Sequence, residues 1–247
     1  MWDDARQLNA IAVTLSLIAL AFLTWALVGR LTRLSTFEFR DVVVTTPLGR
    51  ASGAHLESVI RGELAGTFFS MDLDRARDAL SRVPWVKSVA LRREWPRRLE
   101  IEVVEHAPLA RWNDNALVDT NGDVFVASYA GDLPQFRGPD GQSAAMAARY
   151  REWNALLAPL ALRVTGLDLS ARGGWQIAAA DNEAAITLDV GRDDIAGRLA
   201  RFVAIYRRTI GVLAHAGTRV DHVDLRYRNG FAARMPSFRE KPAHKVS

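Results

Sequence analysis

The clearest pattern of hydrophobic and polar positions lies in residues 84–112, which contain two stretches typical of β-strands. Residues 86–91 are largely apolar, and residues 99–103 alternate between apolar side chains and glutamates. A side-chain period of two indicates a strand with one buried face. Trp95-Pro96 stands between the two stretches, and proline cannot donate a hydrogen bond to a neighbouring strand. The pattern therefore predicts two antiparallel strands joined at Trp95-Pro96, within an α+β domain.

The residues before this pair predict a strand and two helices. Residues 37–44 are rich in Phe and Val and predict an extended segment, and apolar positions at helical spacing in residues 55–64 predict a first helix. A second helix follows, with Asp72 or Asp74 as its N-terminal cap, and Pro84 ends it. The predicted order of elements is strand, helix, helix, strand, strand.

Pro108 is predicted to end this first soluble domain, because a proline interrupts the strand pattern just after Glu105. The second domain is predicted to be β-rich, with a first helix over residues 142–158. Its predicted strands are short apolar runs, of which the first three form a meander, at residues 110–112, 116–118, 124–126, 164–169, 175–179 and 185–190.

A long helix and a hairpin are predicted to complete the second domain. Residues 193–215 have one apolar stripe at helical spacing, which we assign to the core. Residues 220–235 alternate around Asn229-Gly230, a pair that favours a type I′ turn, and so predict a hairpin. Residues 236–247 contain few apolar side chains and are predicted to be a flexible tail.

Residues 10–29 contain no charged side chain. At about 1.5 Å per residue, a helix of this length crosses a hydrocarbon layer of about 30 Å, so we predict a transmembrane helix. The alternative is a signal peptide, which has a shorter apolar core and a small-residue cleavage site. Here Trp25, Arg30 and Arg33 mark the end of the run instead, as in an uncleaved anchor.

The orientation of this helix does not follow from charge alone. Arg6 precedes the helix together with Asp3 and Asp4, whereas Arg30 and Arg33 follow it. By the positive-inside rule, this distribution would leave the bulk of the chain in the cytoplasm. The rule weakens when a long domain follows the helix, so the charge count leaves both orientations open.

Composition excludes several classes of function. The chain has 247 residues and no cysteine, which excludes disulfides, thiolate nucleophiles and cysteine-ligated zinc. Its net charge is +4, but the arginines are dispersed among acids, so no nucleic-acid partner is predicted. The five histidines lack metal-ligand spacing, and no nucleotide-binding or serine-nucleophile motif occurs. We predict no catalytic residue, metal, cofactor or small-molecule substrate.

The order of residues in the central stretch is more specific than its periodicity. The stretch contains, in order, Pro84, Trp85, Val86, Arg92, Trp95, Pro96, Leu99, Ile101, Val103, Glu105, Pro108, Ala110 and Trp112. This order resembles the end of the POTRA domain in the FtsQ family of bacterial cell division proteins, and the resemblance covers roughly residues 10–235. It implies a cytoplasmic tail at residues 1–9, a transmembrane helix, a POTRA domain at residues 34–105, a β domain at residues 108–235 and the flexible tail.

The resemblance also implies a function and a location. It implies a non-enzymatic scaffold that spans the bacterial inner membrane once at the division septum, with its bulk in the periplasm. Its β domain would bind the FtsB subunit of the FtsB–FtsL pair, and its POTRA domain would bind other septal proteins. Two alternatives stay open: a POTRA-containing secretion or assembly factor of the envelope, and an envelope enzyme with a dispersed site.

The implied partner-binding residues lie near the predicted terminal hairpin. Leu225, Arg226, Tyr227 and Gly230 match the family's terminal-strand motif, and Arg172 resembles an arginine that faces the same partner. The hairpin would offer a free strand edge to which the partner adds a strand. Alternation along the strand leaves open a second interpretation, in which Tyr227 packs in the core and Arg226 is a solvated charge.

Overall fold

A computed structural model describes residues 5–31, 37–63, 67–181, 184–215 and 220–236 of the chain. The chain divides into two compact units, of which the first ends at His106 and the second begins at Ala107. The predicted α+β fold class is confirmed, with an N-terminal apolar helix, a unit of order strand, helix, helix, strand, strand, and a β-rich unit with helices. Several predicted features, including Asp3, Asp4, Arg33, Leu64, His244 and residues 237–247, lie outside the described residues.

The first unit begins with helix α1 (Ala5–Leu31). Its residues Asn9–Leu31 have a mean hydropathy of 2.4, and none of the apolar window is buried against the rest of the protein. The helix is long and apolar enough to cross a membrane, and it extends two residues beyond the predicted span at its C-terminal end. These properties fit a transmembrane helix.

The remainder of the first unit has the predicted element order. Two helices cover a three-stranded sheet of order β1-β3-β2, in which β1 runs parallel and β2 antiparallel to β3. Buried apolar side chains alternate with exposed ones along β3, as the sequence predicts. The elements are β1 (Asp41–Val44), α2 (Gly53–Glu63), α3 (Leu73–Ser81), β2 (Val86–Glu94) and β3 (Arg98–Glu105).

Asp72, and not Asp74, is the N-terminal cap of α3. Its carboxylate accepts hydrogen bonds from the backbone N–H groups of Asp74 and Arg75, each at 3.0 Å. These donors would otherwise have no partner in the first helical turn. Ala76, Ala79 and Leu80 then face the sheet and are buried.

Glu105 fastens the end of β3 to the segment that precedes α2. Its carboxylate accepts hydrogen bonds from the backbone N–H groups of Gly49, Arg50 and Ala51 at 2.9 to 3.0 Å. Burial alone would raise the pKa of Glu105, but these three hydrogen bonds and the charge of Arg50 outweigh burial and lower the pKa below its ordinary value.

The second unit is one nine-stranded sheet with helices. The strand order is β12-β11-β10-β9-β8-β7-β4-β5-β6. Its strands are β4 (Pro108–Trp112), β5 (Ala116–Asp119), β6 (Val124–Phe125), β7 (Gln135–Arg137), β8 (Arg163–Leu169), β9 (Trp175–Ala180), β10 (Ala185–Gly191), β11 (His222–Asp224) and β12 (Ala232–Arg234). Its helices are α4 (Ser143–Leu157), α5 (Ile195–Tyr206) and α6 (Ile210–His215), with a 3-10 turn at Ala158–Leu160.

The core of the second unit lies between the helices and one face of the sheet. Trp153 of α4 is fully buried and meets Trp175 of β9 edge to face, with ring centroids 5.0 Å apart. Burial of aromatic rings of this size contributes much of a domain's hydrophobic stabilisation. The other large side chains with under 2% exposure are Phe136, Met146, Leu157, Ile177, Leu188, Leu199 and Phe202.

Strand β3 ends at Glu105, as the sequence predicts. Pro108 begins the next strand, β4, two residues before its predicted start, at a position where its missing N–H removes no ladder bond. Two further differences from the predictions concern the second unit. Strand β7 was not predicted, because three residues are too few to show a period. The single helix predicted over residues 193–215 is two helices, because residues 207–209 form a turn.

The terminal hairpin exists, but its predicted turn is wrong. β11 and β12 pair antiparallel, and residues 225–231 connect them. Neither Asn229 nor Gly230 has the positive φ that a type I′ turn requires. The strand stops early because the Asp224 carboxylate accepts a 2.9 Å hydrogen bond from the backbone N–H of Arg226, which turns the chain out of the ladder.

Candidate partner-binding surface

The predicted site residues divide into one buried and four exposed positions. Leu225 is 3% exposed and packs in the core of the second unit, so its side chain is not available to a partner. Its backbone N–H also donates to the carbonyl of Asp189. Arg172, Arg226 and Gly230 are exposed, and Tyr227 is 57% exposed, which excludes the interpretation that it packs in the core.

The sheet topology places the exposed residues at one end of the sheet. Arg172 lies in the β8–β9 turn, and Trp175 at the start of β9 pairs with Gly191 at the end of β10. β11 runs parallel to β10 and ends at Asp224, so the connection that carries Tyr227 leaves at the same end. The turn and the connection are separated by two to three strand spacings, roughly 10 to 14 Å.

Arg226 is held in place by its neighbour in β11. Its Nε and Nη2 atoms donate to the two carboxylate oxygens of Asp224 at 2.9 and 2.7 Å. This bidentate pair lowers the pKa of Asp224 and raises the pKa of Arg226. The guanidinium group of Arg226, which was predicted to bind a partner carboxylate, is therefore already paired with Asp224. Only its remaining N–H groups can reach a partner carboxylate.

Gly191 makes room for the aliphatic part of Arg226. Its φ is +71°, and a Cβ at this position would lie 3.2 Å from the Cγ atom of Arg226 and 2.6 Å from a guanidinium nitrogen of Arg198. Arg198 in turn donates to the carbonyl of Val190 at 2.7 Å. A glycine at the end of β10 thus lets two arginines approach the sheet end closely.

A polar ladder crosses the exposed face of strands β9, β10 and β11. Gln176 donates to the carboxylate of Asp189 at 2.7 Å, and Nε2 of His222 lies 3.2 Å from the other oxygen of that carboxylate. On the last strand, Arg234 forms a bidentate pair with Asp221 at 3.0 and 3.1 Å, which lowers the pKa of Asp221. The ladder fixes the register of the strands that end at the candidate site.

Strand β12 is at the edge of the sheet. It pairs with β11 on one side, and no described strand pairs with its other side. Phe231, Ala233 and Met235 pack against the core, while Ala232 and Arg234 are exposed. A strand with one free side is a template for the addition of another chain. We call this free side of β12 the terminal edge.

A cleft of about 180 Å³ adjoins the start of β12. It lies between α5 and the connection after β11. Sequence reasoning missed it, because Phe202 belongs to a helical stripe that was assigned entirely to the core, and Ile205 was given no role. The cleft is lined by Arg198, Arg201, Phe202, Ala204, Ile205, Leu225, Asn229, Gly230 and Phe231.

Within the described part of the chain, no three His, Asp or Glu side chains come together as a metal site would require.

Two family models match the chain. The POTRA domain of FtsQ type matches residues 37–106, and the C-terminal domain of the cell division protein FtsQ/DivIB matches residues 110–226. The cell division protein FtsQ of Bordetella pertussis is 34% identical over 272 aligned residues, which cover 100% of this chain and 98% of the relative.

The chain belongs to the FtsQ family of cell division proteins. Other FtsQ relatives are those of Coxiella burnetii, 34% identical over 80% of each chain, and Burkholderia pseudomallei, 31% identical over 97% of this chain and 96% of the relative. The FtsQ names describe cell division and state no enzymatic reaction. The C-terminal family match ends at Arg226, so Tyr227, Gly230 and the terminal edge lie beyond it.

Proposed function

We propose that this chain is a non-enzymatic scaffold of the division machinery that binds FtsB, of the FtsB–FtsL pair, by strand addition at the terminal edge. The observation that carries the proposal is the free side of β12 beside a sheet end with an exposed tyrosine. Backbone hydrogen bonds along such an edge supply affinity, and the side chains around it supply selectivity.

Each exposed site residue has a distinct task in this proposal. Tyr227 supplies a large contact area with few rotatable bonds, which keeps the entropic cost of binding low. Arg226, oriented by Asp224, offers its free N–H groups to a partner carboxylate. Arg172 adds a second positive charge at the same end of the sheet, and Gly230 leaves open space where a Cβ would meet no atom within 4 Å.

The proposal includes a location and domain limits. The chain spans the bacterial inner membrane once through residues 10–29, with residues 1–9 in the cytoplasm and the rest in the periplasm at the septum. Residues 34–105 act as the POTRA domain that binds other septal proteins, and residues 108–235 act as the β domain. The apolar helix α1 and the family membership support this arrangement.

Capture of the periplasmic segment of FtsB by the detergent-solubilised chain tests the proposal. Tyr227→Ala should weaken binding by roughly thirtyfold, since removal of an anchor residue typically costs about 2 kcal/mol. Arg226→Gln should also weaken it, and it avoids placing a third carboxylate beside Asp224 and Asp189. Val126→Ala removes an exposed apolar side chain beyond β6, at the opposite edge of the sheet, and should leave binding unchanged.

Circular dichroism of each variant must first match that of the parent chain. Undiminished capture by folded Tyr227→Ala and Arg226→Gln variants would mean that this end of the sheet is not the interface. Equal loss with Val126→Ala would indicate a general effect on the domain instead of a local contact.

A further inference from the structure

Five aromatic rings form a cluster on the surface of the first unit. Three separate segments bring them together: the segment before β1, the α2–α3 connection and the β2–β3 turn. The ring centroids of Phe68 and Trp95 lie 5.4 Å apart, and Phe69 lies 5.2 Å from Phe37. The backbone N–H of Phe68 donates to the carbonyl of Phe37 at 2.7 Å. We call Phe37, Phe39, Phe68, Phe69 and Trp95 the aromatic cluster.

The aromatic cluster is not a buried core. Trp95 is 64% exposed and Phe69 is 48% exposed, although both touch other rings of the cluster. The buried core of the same sheet lies elsewhere, around Leu99 and Ile101, which are fully buried. Large rings held together at the surface, partly in water, mark a surface that meets another apolar phase.

The chain itself limits how far the cluster can lie from the membrane. Leu31 ends α1, and Phe37 of the cluster follows six residues later. Six residues span at most about 22 Å even when fully extended. The headgroup layer beyond the hydrocarbon is itself about 6 Å thick. A cluster tethered this closely to a membrane-spanning helix reaches the headgroup layer without any rearrangement of its own domain.

The charges around the cluster suit phospholipid headgroups. Arg40 and Arg97 lie in these segments and Arg92 lies near the end of the adjoining strand β2. None of the three forms an ion pair with another described residue. Among the nearby acids, Asp72 is used as the α3 cap, and Glu94 at the end of β2 is paired with Arg98 at 3.2 Å. Glu38 precedes β1, and Asp41 begins it. Tryptophan with adjacent arginine is the composition of interfacial anchors, in which the ring enters the headgroup level and the guanidinium binds phosphate.

We propose that the aromatic cluster docks the POTRA domain onto the phospholipid headgroup layer of the membrane that α1 crosses. Phe69 and Trp95 insert at the headgroup level, and the guanidinium groups of Arg40, Arg92 and Arg97 bind lipid phosphates. Docking would fix the domain's position over the membrane through a second contact besides the tether. The proposal rests on α1 spanning the membrane and is independent of FtsB binding.

Spin labels on the full chain in nanodiscs of phosphatidylglycerol and phosphatidylcholine test this docking. Because the chain has no cysteine, each introduced cysteine gives a single label. Glu94→Cys places a label beside Trp95, and Ser81→Cys places one at the other end of α3, about 12 Å along the helix from its start near the cluster. Leu20→Cys places a third within α1. Collision with oxygen and with a water-soluble nickel complex reports the depth of each label.

We expect the label at position 94 within about 10 Å of the lipid phosphates, the label at position 81 in water, and the label at position 20 inside the bilayer. Phe69→Ser combined with Trp95→Ser should return the label at position 94 to water. Val104→Ser, which removes an exposed apolar side chain on the open face of the same sheet, should leave its depth unchanged. Trp95→Ser alone replaces the double variant if the latter fails to fold.

Each other outcome overturns the docking. A label at position 94 that is as accessible to the nickel complex as the label at position 81, while position 20 lies inside the bilayer, refutes docking but not the membrane anchor. A label at position 20 in water refutes the anchor and docking with it. A label at position 94 that leaves water only after the FtsB–FtsL pair is added identifies a protein surface instead.

Discussion

At the scale of single residues, two carboxylates determine where strands end. Glu105 accepts three backbone hydrogen bonds and closes the first unit at the end of β3. Asp224 accepts the N–H of Arg226 and closes β11. In both places the folded chain stabilises the charged form of the carboxylate, as the lowered pKa of each group indicates. Their protonation therefore weakens the local structure.

Glu105 gives the first unit an acid-sensitive contact. Because its pKa is lower in the folded than in the unfolded chain, its contribution to stability is fully present above about pH 4.5 and is lost as the pH falls through the folded pKa. Glu105→Gln should make residues 37–106 less stable at pH 7 and should flatten their response between about pH 5 and pH 3. Hydrogen exchange of these residues, resolved by mass spectrometry, measures both effects.

Glu102→Gln is the matched control, because Glu102 lies on the same strand with an exposed side chain. It should leave exchange at pH 7 unchanged. Equal exchange in the Glu105→Gln variant and the parent chain at pH 7 would show that the contact does not stabilise the unit.

At the scale of elements, the sequence predicted the strands and helices that contain several periods of a hydrophobic pattern. It missed the elements that are short or that a local contact interrupts. β3 and α4 carry several periods of their pattern and were predicted within two residues. β7 has three residues and no period. The terminal hairpin was predicted, but alternation could not show that an Asp224 side chain ends β11 before Tyr227. Tyr227 lies beyond this strand end and is exposed.

The start of α3 supplies a quantitative prediction at this scale. Asp72→Ala removes the acceptor for the N–H groups of Asp74 and Arg75, and loss of such a cap typically costs about 1 kcal/mol. Asp78→Ala, an exposed change within the same helix, should cost nothing, since alanine favours helices more than aspartate does. Urea unfolding of the solubilised chain, followed by exchange of α3, compares the two; equal stabilities would contradict the role of Asp72.

At the scale of the whole molecule, the first of two units begins with an apolar helix, and the comparisons show the family but not the orientation. Arg30 follows the apolar run, which by charge bias alone would retain the units in the cytoplasm. Geometry within each unit contains no information about the side of the membrane. The fold does not identify the partner either, because a free strand edge can pair with any chain segment that has suitable side chains.

The orientation is tested with fusions after residue 236. Alkaline phosphatase, which is active only in the periplasm, should be active when fused to the full chain. It should be inactive when fused to a chain that lacks residues 1–31, because that chain has no α1. A fluorescent reporter that matures only in the cytoplasm should give the opposite pattern. An inactive phosphatase on the full chain, with a bright reporter at the same position, would reverse the proposed topology.

The place of β12 in the chain has a consequence for timing. Among the described strands β12 is the last in chain order, and it pairs with β11, which in turn joins β10 across α5 and α6. Since a chain emerges from the ribosome N-terminus first, the terminal edge is made after every other described strand of this sheet. A chain whose synthesis stops before residue 232, or that is cut before this residue, lacks the terminal edge. Assembly through β12 would therefore exclude copies in which synthesis stopped before this strand.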